Sequence, residues 1–183
     1  MRKSWHESAE RFFAVSVIAA ASAILVIYLG VTDKSRVIFP AIVFSICLPG
    51  IMMSMFMWIN GRKREWLVGM DWSDYTEKEC PEVVSYIGFW HMVPLMVILN
   101  GMSLLFVNFI TGALLVFLPL MVMFSAEMKP AYKKVVSPLP STNGGFAALN
   151  VLIILAICVI PAVIFTIIGI HNLENGISTL SFL

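Results

Sequence analysis

From residue 83 to residue 126 the chain carries no Asp, Glu, Lys or Arg, a run of 44 positions. As one helix at ~1.5 Å per residue it would extend roughly 66 Å, about two bilayer hydrocarbon cores of ~30 Å. The interior of a small soluble domain has no place for such a run, and Asn108, Thr111 and Gly112 near its middle offer a point to fold back. A transmembrane hairpin is therefore expected. Its ionisable content matters as much, because pumps and proton-coupled carriers keep an ionisable group inside the membrane. Here only His91, near the start, qualifies.

Composition agrees with a membrane solvent. Of 183 residues, 60% are apolar and 13% charged, against about 25% charged in soluble domains, and the mean hydropathy is +0.91. A formal net charge of +1, with Arg62, Lys63 and Arg64 as the largest basic cluster, gives no footprint for nucleic acid, which needs several phosphates neutralised on one surface. Cys47, Cys80 and Cys158 are odd in number and lack CxxC spacing, so no disulfide framework is expected. The basic N-terminus precedes an apolar run over residues 12–30 that is longer than a signal h-region. It reads as a retained first helix or signal anchor.

The expected fold is all-α: an integral membrane helical bundle of about five transmembrane helices, over residues 12–31, 37–59, 86–106, 109–126 and 146–170. Backbone in hydrocarbon must satisfy its own hydrogen bonds, and no span shows the two-residue alternation of a membrane strand. Residues 1–183 form one polytopic domain, with a surface loop at 60–85 and a second, Pro- and Gly-rich irregular loop at 127–145. The N-terminal segment and these two loops hold ten of the twelve basic residues. By the positive-inside rule both loops and the N-terminus are cytoplasmic and the C-terminus lies on the opposite side of a plasma (inner) membrane.

Trp58, Trp66, Trp72 and Trp90 flank the 60–85 loop, where amphipathic indoles suit the headgroup layer. Arg62, Lys63, Arg64, Trp66 and Trp72 are accordingly the candidate surface or partner-contacting residues. Later in the loop, Thr76 and Glu79 stand at capping-box spacing, followed by Pro81 and Glu82 in what would be a first helical turn.

Inside the spans the candidates are polar or hinge positions: His91, Pro94, Asn100, Pro119, Asn150 and Pro161, with Pro49 as a fourth proline. A proline frees a carbonyl and can act as a hinge or ion ligand, yet prolines are also ordinary in membrane helices, where neighbours repair the lost bond. His91 could titrate near neutrality, but it has no acid at i±3 or i±4 and reads as an interfacial histidine one turn into the third span. The asparagines and Ser45, Ser54, Ser103 and Ser125 could line a pore or join helices, and Gly101 beside Asn100 favours joining. The string Met52, Met53, Met55 and Met57 could offer thioethers to Cu(I). Flexible apolar filling is the simpler account, so no metal and no cofactor is expected.

Catalysis finds little support. No HExxH, no three-ligand zinc pattern and no Gly-rich phosphate loop is present. Asp71, Asp74, Glu77, Glu79 and Glu82 could hold a divalent cation on helical turns, but interspersed Lys78 and the capping role of Glu79 fit a solvated face.

The stretch Asn60, Gly61, Arg62, Lys63, Arg64, Glu65, Trp66, Leu67, Val68, Gly69, Met70, Asp71, Trp72, Ser73, followed by Glu77, Lys78 and Glu79, resembles a small bacterial three-helix membrane domain family of unknown function. In that family an apolar helix ends in Gly and a basic residue, then a Leu-Ile-Ala-Gly-like string, then a polar stretch leading to two more helices. The matching positions are Gly61, Arg62, Leu67, Val68, Gly69, Ser73, Glu77 and Glu79, and the resemblance would cover residues 37–126. Val68 and Gly69 lack the intervening Ala, and Met70, Asp71 and Trp72 replace a Tyr-Asn-like pair. The resemblance implies architecture and no activity. The sequence therefore points to a non-catalytic multi-pass protein whose partners are the lipid bilayer and another membrane protein or larger complex, as an accessory subunit or immunity-type protein. The alternative is a small channel or carrier with proline-broken helices.

Overall fold

The computed structural model describes residues 8–67, 72–125 and 144–177, without the side chains of 74, 122–125, 144–147 and 150. Within these residues the chain is all-helical: α1 (Ala9–Gly30), α2 (Ile38–Asn60), α3 (Cys80–Leu104), α4 (Phe109–Ser125) and α5 (Gly144–Glu174). α1, α2, α3 and α5 are long and apolar enough to cross a membrane. α4, at 17 residues, spans about 26 Å at 1.5 Å per residue.

Burial follows helical geometry. On α1 the buried residues are Phe12, Ser16, Ala20, Ala23 and Ile27, spaced by four, four, three and four, which is one stripe of a 3.6-residue helix. The rest of its surface stays apolar yet exposed, with Ile18 at 66% and Leu29 at 72%. α5 behaves likewise, with Leu152, Ile157 and Ile160 exposed. Exposed apolar faces of this extent are untenable in water, and they make this a membrane protein whose outer helices face lipid.

α2 and α3 form the centre. Val43, Phe44, Leu48, Ile51, Met52, Met55, Phe56 and Met57 of α2 are buried, so three of the four methionines of the string fill the core and Met53 is half-buried. The helices run antiparallel: a Cβ on Gly88 would lie 2.5 Å from the Trp58 backbone nitrogen and 2.6 Å from the Ser54 carbonyl oxygen. Only glycine permits that approach. α3 also packs on α4 and α5, and α1 packs on α2 and α5.

The charge-free run does fold into a hairpin. α3 ends at Leu104, and the Asn108 side-chain oxygen accepts the Thr111 backbone N–H at 3.0 Å, capping α4. A Cβ on Gly112 would come within 2.8 Å of the Gly101 carbonyl oxygen, so the arms touch backbone to backbone. α5 lies over this turn, with Gly169 against Phe106.

Helix ends overrun the expected spans. α3 begins six residues before 86 and α5 continues four beyond 170, because hydropathy marks hydrocarbon while the helix continues into polar residues such as Glu82 and Glu174. The 127–145 loop expected from sequence falls, except for the start of α5, outside the described residues.

The helix directions define two ends. At one, the turn between α1 and α2 is closed by polar contacts. The Lys34 ammonium donates to the carbonyls of Tyr28 and Val31 and lies 4.6 Å from the Tyr28 ring centre, placing a cation at the C-terminus of α1 where the helix dipole favours it. The Asp33 carboxylate accepts the Ser35 N–H at 3.0 Å and hydroxyl at 2.6 Å, and the Arg36 Nε–H at 3.1 Å. At the other end lies the Arg62 loop.

Candidate functional site

The Arg62 loop is a built structure. Gly61 stops α2 in the left-handed region, φ 58°, and its N–H donates to the Met57 carbonyl. Lys63 is the one described non-glycine residue at positive φ, 75°, a conformation that costs an L-residue about 1–2 kcal/mol. It is held there by its ammonium, 3.3 Å from a Glu65 carboxylate oxygen and 5.6 Å from the Trp66 ring centre. The 3-10 turn Arg64–Trp66 comes next. The Glu65 carboxyl is held below its usual pKa, first by its own backbone N–H and then by Lys63.

Trp66 is 37% exposed and packs on Phe56, ring centres 6.0 Å apart. Together with Lys63, Met53, Phe13 and Ser8, Ala9 and Glu10 at the start of α1 it lines a cavity of about 490 Å³. Trp72 does something different. With Leu67 and Tyr75 it covers Val83, Tyr86 and Ile87, so this half of the loop folds onto α3. Arg62 and Arg64 are exposed, while Asp71 and the Asp74 side chain lie outside the described residues.

The expected capping box is present in altered form. The Glu79 carboxylate accepts the Thr76 backbone N–H at 3.0 Å, as the motif requires, but it also accepts the Thr76 hydroxyl at 2.9 Å. The Glu79 N–H donates to the Thr76 carbonyl at 3.0 Å. Pro81 and Glu82 then occupy the first turn of α3.

The intramembrane candidates do not converge. The Asn100 Nδ2 donates to the Met96 carbonyl at 3.0 Å and the Cys158 carbonyl at 3.3 Å, joining α3 to α5. That acceptor lies one turn ahead of Pro161, whose ring removes a donor from the same stretch of α5. The Ser85 hydroxyl donates to the Trp58 carbonyl at 2.6 Å, joining α3 to α2. Ser16, Ser103 and Thr166 each return their hydroxyl to a carbonyl of their own helix. Pro94 is buried and Pro119 half-buried; the Asn150 side chain lies outside the described residues.

His91 stands eleven residues beyond Cys80, three turns into α3 rather than one, because α3 begins earlier than hydropathy indicates. It is half-buried, between the Gly88 crossing and the contact of Gly50 with Leu95. Among the described residues no three His, Cys, Asp or Glu side chains converge as a metal site. Cys47, Cys80 and Cys158 are buried thiols.

One polar cluster has no forerunner among the sequence expectations. Glu174, at the end of α5, accepts the backbone N–H groups of Thr32 at 3.0 Å and Asp33 at 2.6 Å, and its other oxygen lies 3.8 Å from His171 Nδ1. The Asp33, Ser35 pair signals a local turn, but nothing nearby in sequence points to a partner 141 residues away.

Comparison with protein-family models, curated proteins and solved structures finds no match.

Proposed function

We propose that this chain is a non-catalytic multi-pass membrane protein that acts by binding a partner in the membrane, as an accessory subunit or an immunity-type protein does. One observation carries the reading: the described intramembrane polar groups that bond do so between helices, Asn100 to Cys158 and Ser85 to Trp58, or within their own helix, as Ser16, Ser103 and Thr166 do, while the preformed Arg62 loop presents Arg62, Lys63, Arg64 and Trp66 outward. Polar joints of this kind hold a scaffold together, and an ordered basic and aromatic loop suits recognition. Trp72 supports that loop from beneath.

In the same reading the membrane is a bacterial plasma (inner) membrane, with the Arg62 end and the N-terminus cytoplasmic and the C-terminus opposite. The distribution of ten of the twelve basic residues supports this orientation, and so does the alternating run of α1 to α5. The likeness of residues 37–126 to a three-helix membrane domain family adds architecture to the proposal. A channel or carrier requires a shared polar path, and bonds directed to separate neighbours weigh against it.

Purification of the full-length protein in mild detergent, with identification of proteins held at fixed stoichiometry, tests the proposal. A partner that is retained by the native chain and lost on Arg62→Gln, Lys63→Gln and Arg64→Gln combined supports it; a clean monomer overturns it. Reporter fusions at Ser141 and Leu183 are expected to report opposite sides.

A further inference from the structure

α2 ends and α3 begins against one another, and the cleft where they meet is charged. Gly61 stands so close to the first turn of α3 that a Cβ there would lie 2.5 Å from the Pro81 carbonyl oxygen. Beside this contact opens a cleft of about 380 Å³, lined by Cys80, Pro81 and Val84 of α3 and by Arg62, Lys63 and Arg64 of the loop. Its size falls within the range of about 300–1,000 Å³ common to ligand sites.

Charge selects the kind of occupant. Besides the three cations, the cleft is lined by two carboxylates, Glu65 and Glu77. The Lys63 ammonium is 3.3 Å from a Glu65 oxygen, and that pair is neutral as a unit. Arg62, Arg64 and Glu77, all exposed, then leave a surplus of one positive charge. A monoanion cancels it, whereas a zwitterion leaves it standing. A guanidinium carries five N–H donors in a fork that matches two oxygens of a phosphate or carboxylate.

Position decides between those two. α2 is long and apolar enough to span the membrane, and the basic triplet follows directly on its last turn, where the headgroup layer begins. Trp66 and Trp90, each 37% exposed, suit that same layer. Phospholipid phosphates are concentrated there, and basic pockets between helix ends at a membrane surface take up anionic headgroups. A phosphodiester is the monoanion that such a layer supplies to this cleft.

We infer that the cleft between the end of α2 and the start of α3 binds the phosphodiester headgroup of one anionic bilayer phospholipid, held by Arg62 and Arg64. This goes beyond the partner reading and does not rest on it. A purified monomer that retains the lipid removes the partner reading alone, and a captured partner without lipid selectivity removes the lipid site alone.

The test uses the full-length protein in mild detergent with equal amounts of phosphatidylglycerol and phosphatidylethanolamine, read by native mass spectrometry. One phosphatidylglycerol per chain is expected to stay bound in preference to phosphatidylethanolamine. Arg62→Gln with Arg64→Gln is expected to lower that retention by about tenfold, the equivalent of ~1.4 kcal/mol. Arg36→Gln, which removes a cation at the opposite end, should leave it near native. Unchanged helical circular dichroism and elution volume verify folding, and if the double variant fails that check, Arg64→Gln alone is read the same way. Equal retention of both lipids, native-like retention in the folded variant, or an equal loss in Arg36→Gln overturns the inference. So does displacement of the lipid by inorganic phosphate, which would make the site one for a free anion, or a photocrosslinker at Glu77 that captures a protein and no lipid.

Discussion

Glu174 and Asp33 are 141 residues apart, yet a carboxylate oxygen of the first accepts the backbone N–H of the second at 2.6 Å. The same oxygen takes the Thr32 N–H, so one side chain at the end of α5 closes the turn between α1 and α2. A charge-assisted bond contributes about 1.5–3 kcal/mol when sheltered, and these bonds are partly open to solvent. Glu174→Ala is therefore expected to cost about 1–2 kcal/mol. Glu174→Gln, which keeps an acceptor, should lose less. Thermal unfolding in detergent reads the difference, and equal midpoints for all three proteins would show that the tie contributes nothing.

The crossing of α2 and α3 leaves no room for a side chain at residue 88. A Cβ there meets backbone atoms of Ser54 and Trp58 rather than a flexible chain end. Gly88→Ala should destabilise by about 1–3 kcal/mol, the usual range for overpacking, and Gly88→Val should give little monodisperse protein. Size-exclusion profiles of the two variants beside the native chain check this; a native-like Gly88→Val would mean that the helices slide apart freely.

Asn100 tests joint against pore. As a joint to the Cys158 carbonyl it contributes about 0.6–2 kcal/mol, so Asn100→Leu should lower the unfolding midpoint modestly and leave partner retention near native. A variant of undiminished stability whose loss is confined to solute flux would instead place Asn100 on a conduction path.

Acid should loosen the Asp33 turn. The Asp33 carboxyl is held below its ordinary pKa, first by the Ser35 hydroxyl and then by Arg36. Its folded pKa is thus depressed relative to the unfolded chain. The stability it contributes is fully present above the unfolded value of about 3.9 and disappears as pH falls through the lower folded value. Unfolding midpoints measured from about pH 6 down to about 2.5 should fall more steeply below about pH 4 for the native chain than for Asp33→Asn, and parallel curves would remove Asp33 from the account.

Much of the bundle can be read locally. A 44-residue run without charge demands two helices, and Asn108 marks the turn because its side chain caps α4 within three residues. Gly101 beside Asn100 signals close approach because a position without a Cβ lets the α4 backbone at Gly112 come in. The Glu174 tie was not legible, since a carboxylate near the end of a span looks like any solvated acid until folding brings Thr32 and Asp33 to it. Trp72 misleads in the opposite way. Its indole suits a membrane surface, and only the return of the loop over Val83 and Tyr86 shows how far it serves packing. Hydropathy also sets His91 too near the end of α3, because a helix does not stop where hydrocarbon does.

The Glu174 tie gives the bundle a temporal order as well as a shape. During synthesis α1 and α2 are made first, and the amides of Thr32 and Asp33 meet their shared acceptor only when the last turn of α5 has left the ribosome. Chains fold from the N-terminus as they emerge, so every shorter intermediate has only the local contacts of Lys34, Asp33 and Arg36 to shape its first turn. The tie is consequently among the last contacts to form: a chain cut before Glu174 lacks the acceptor that joins the turn between α1 and α2 to α5.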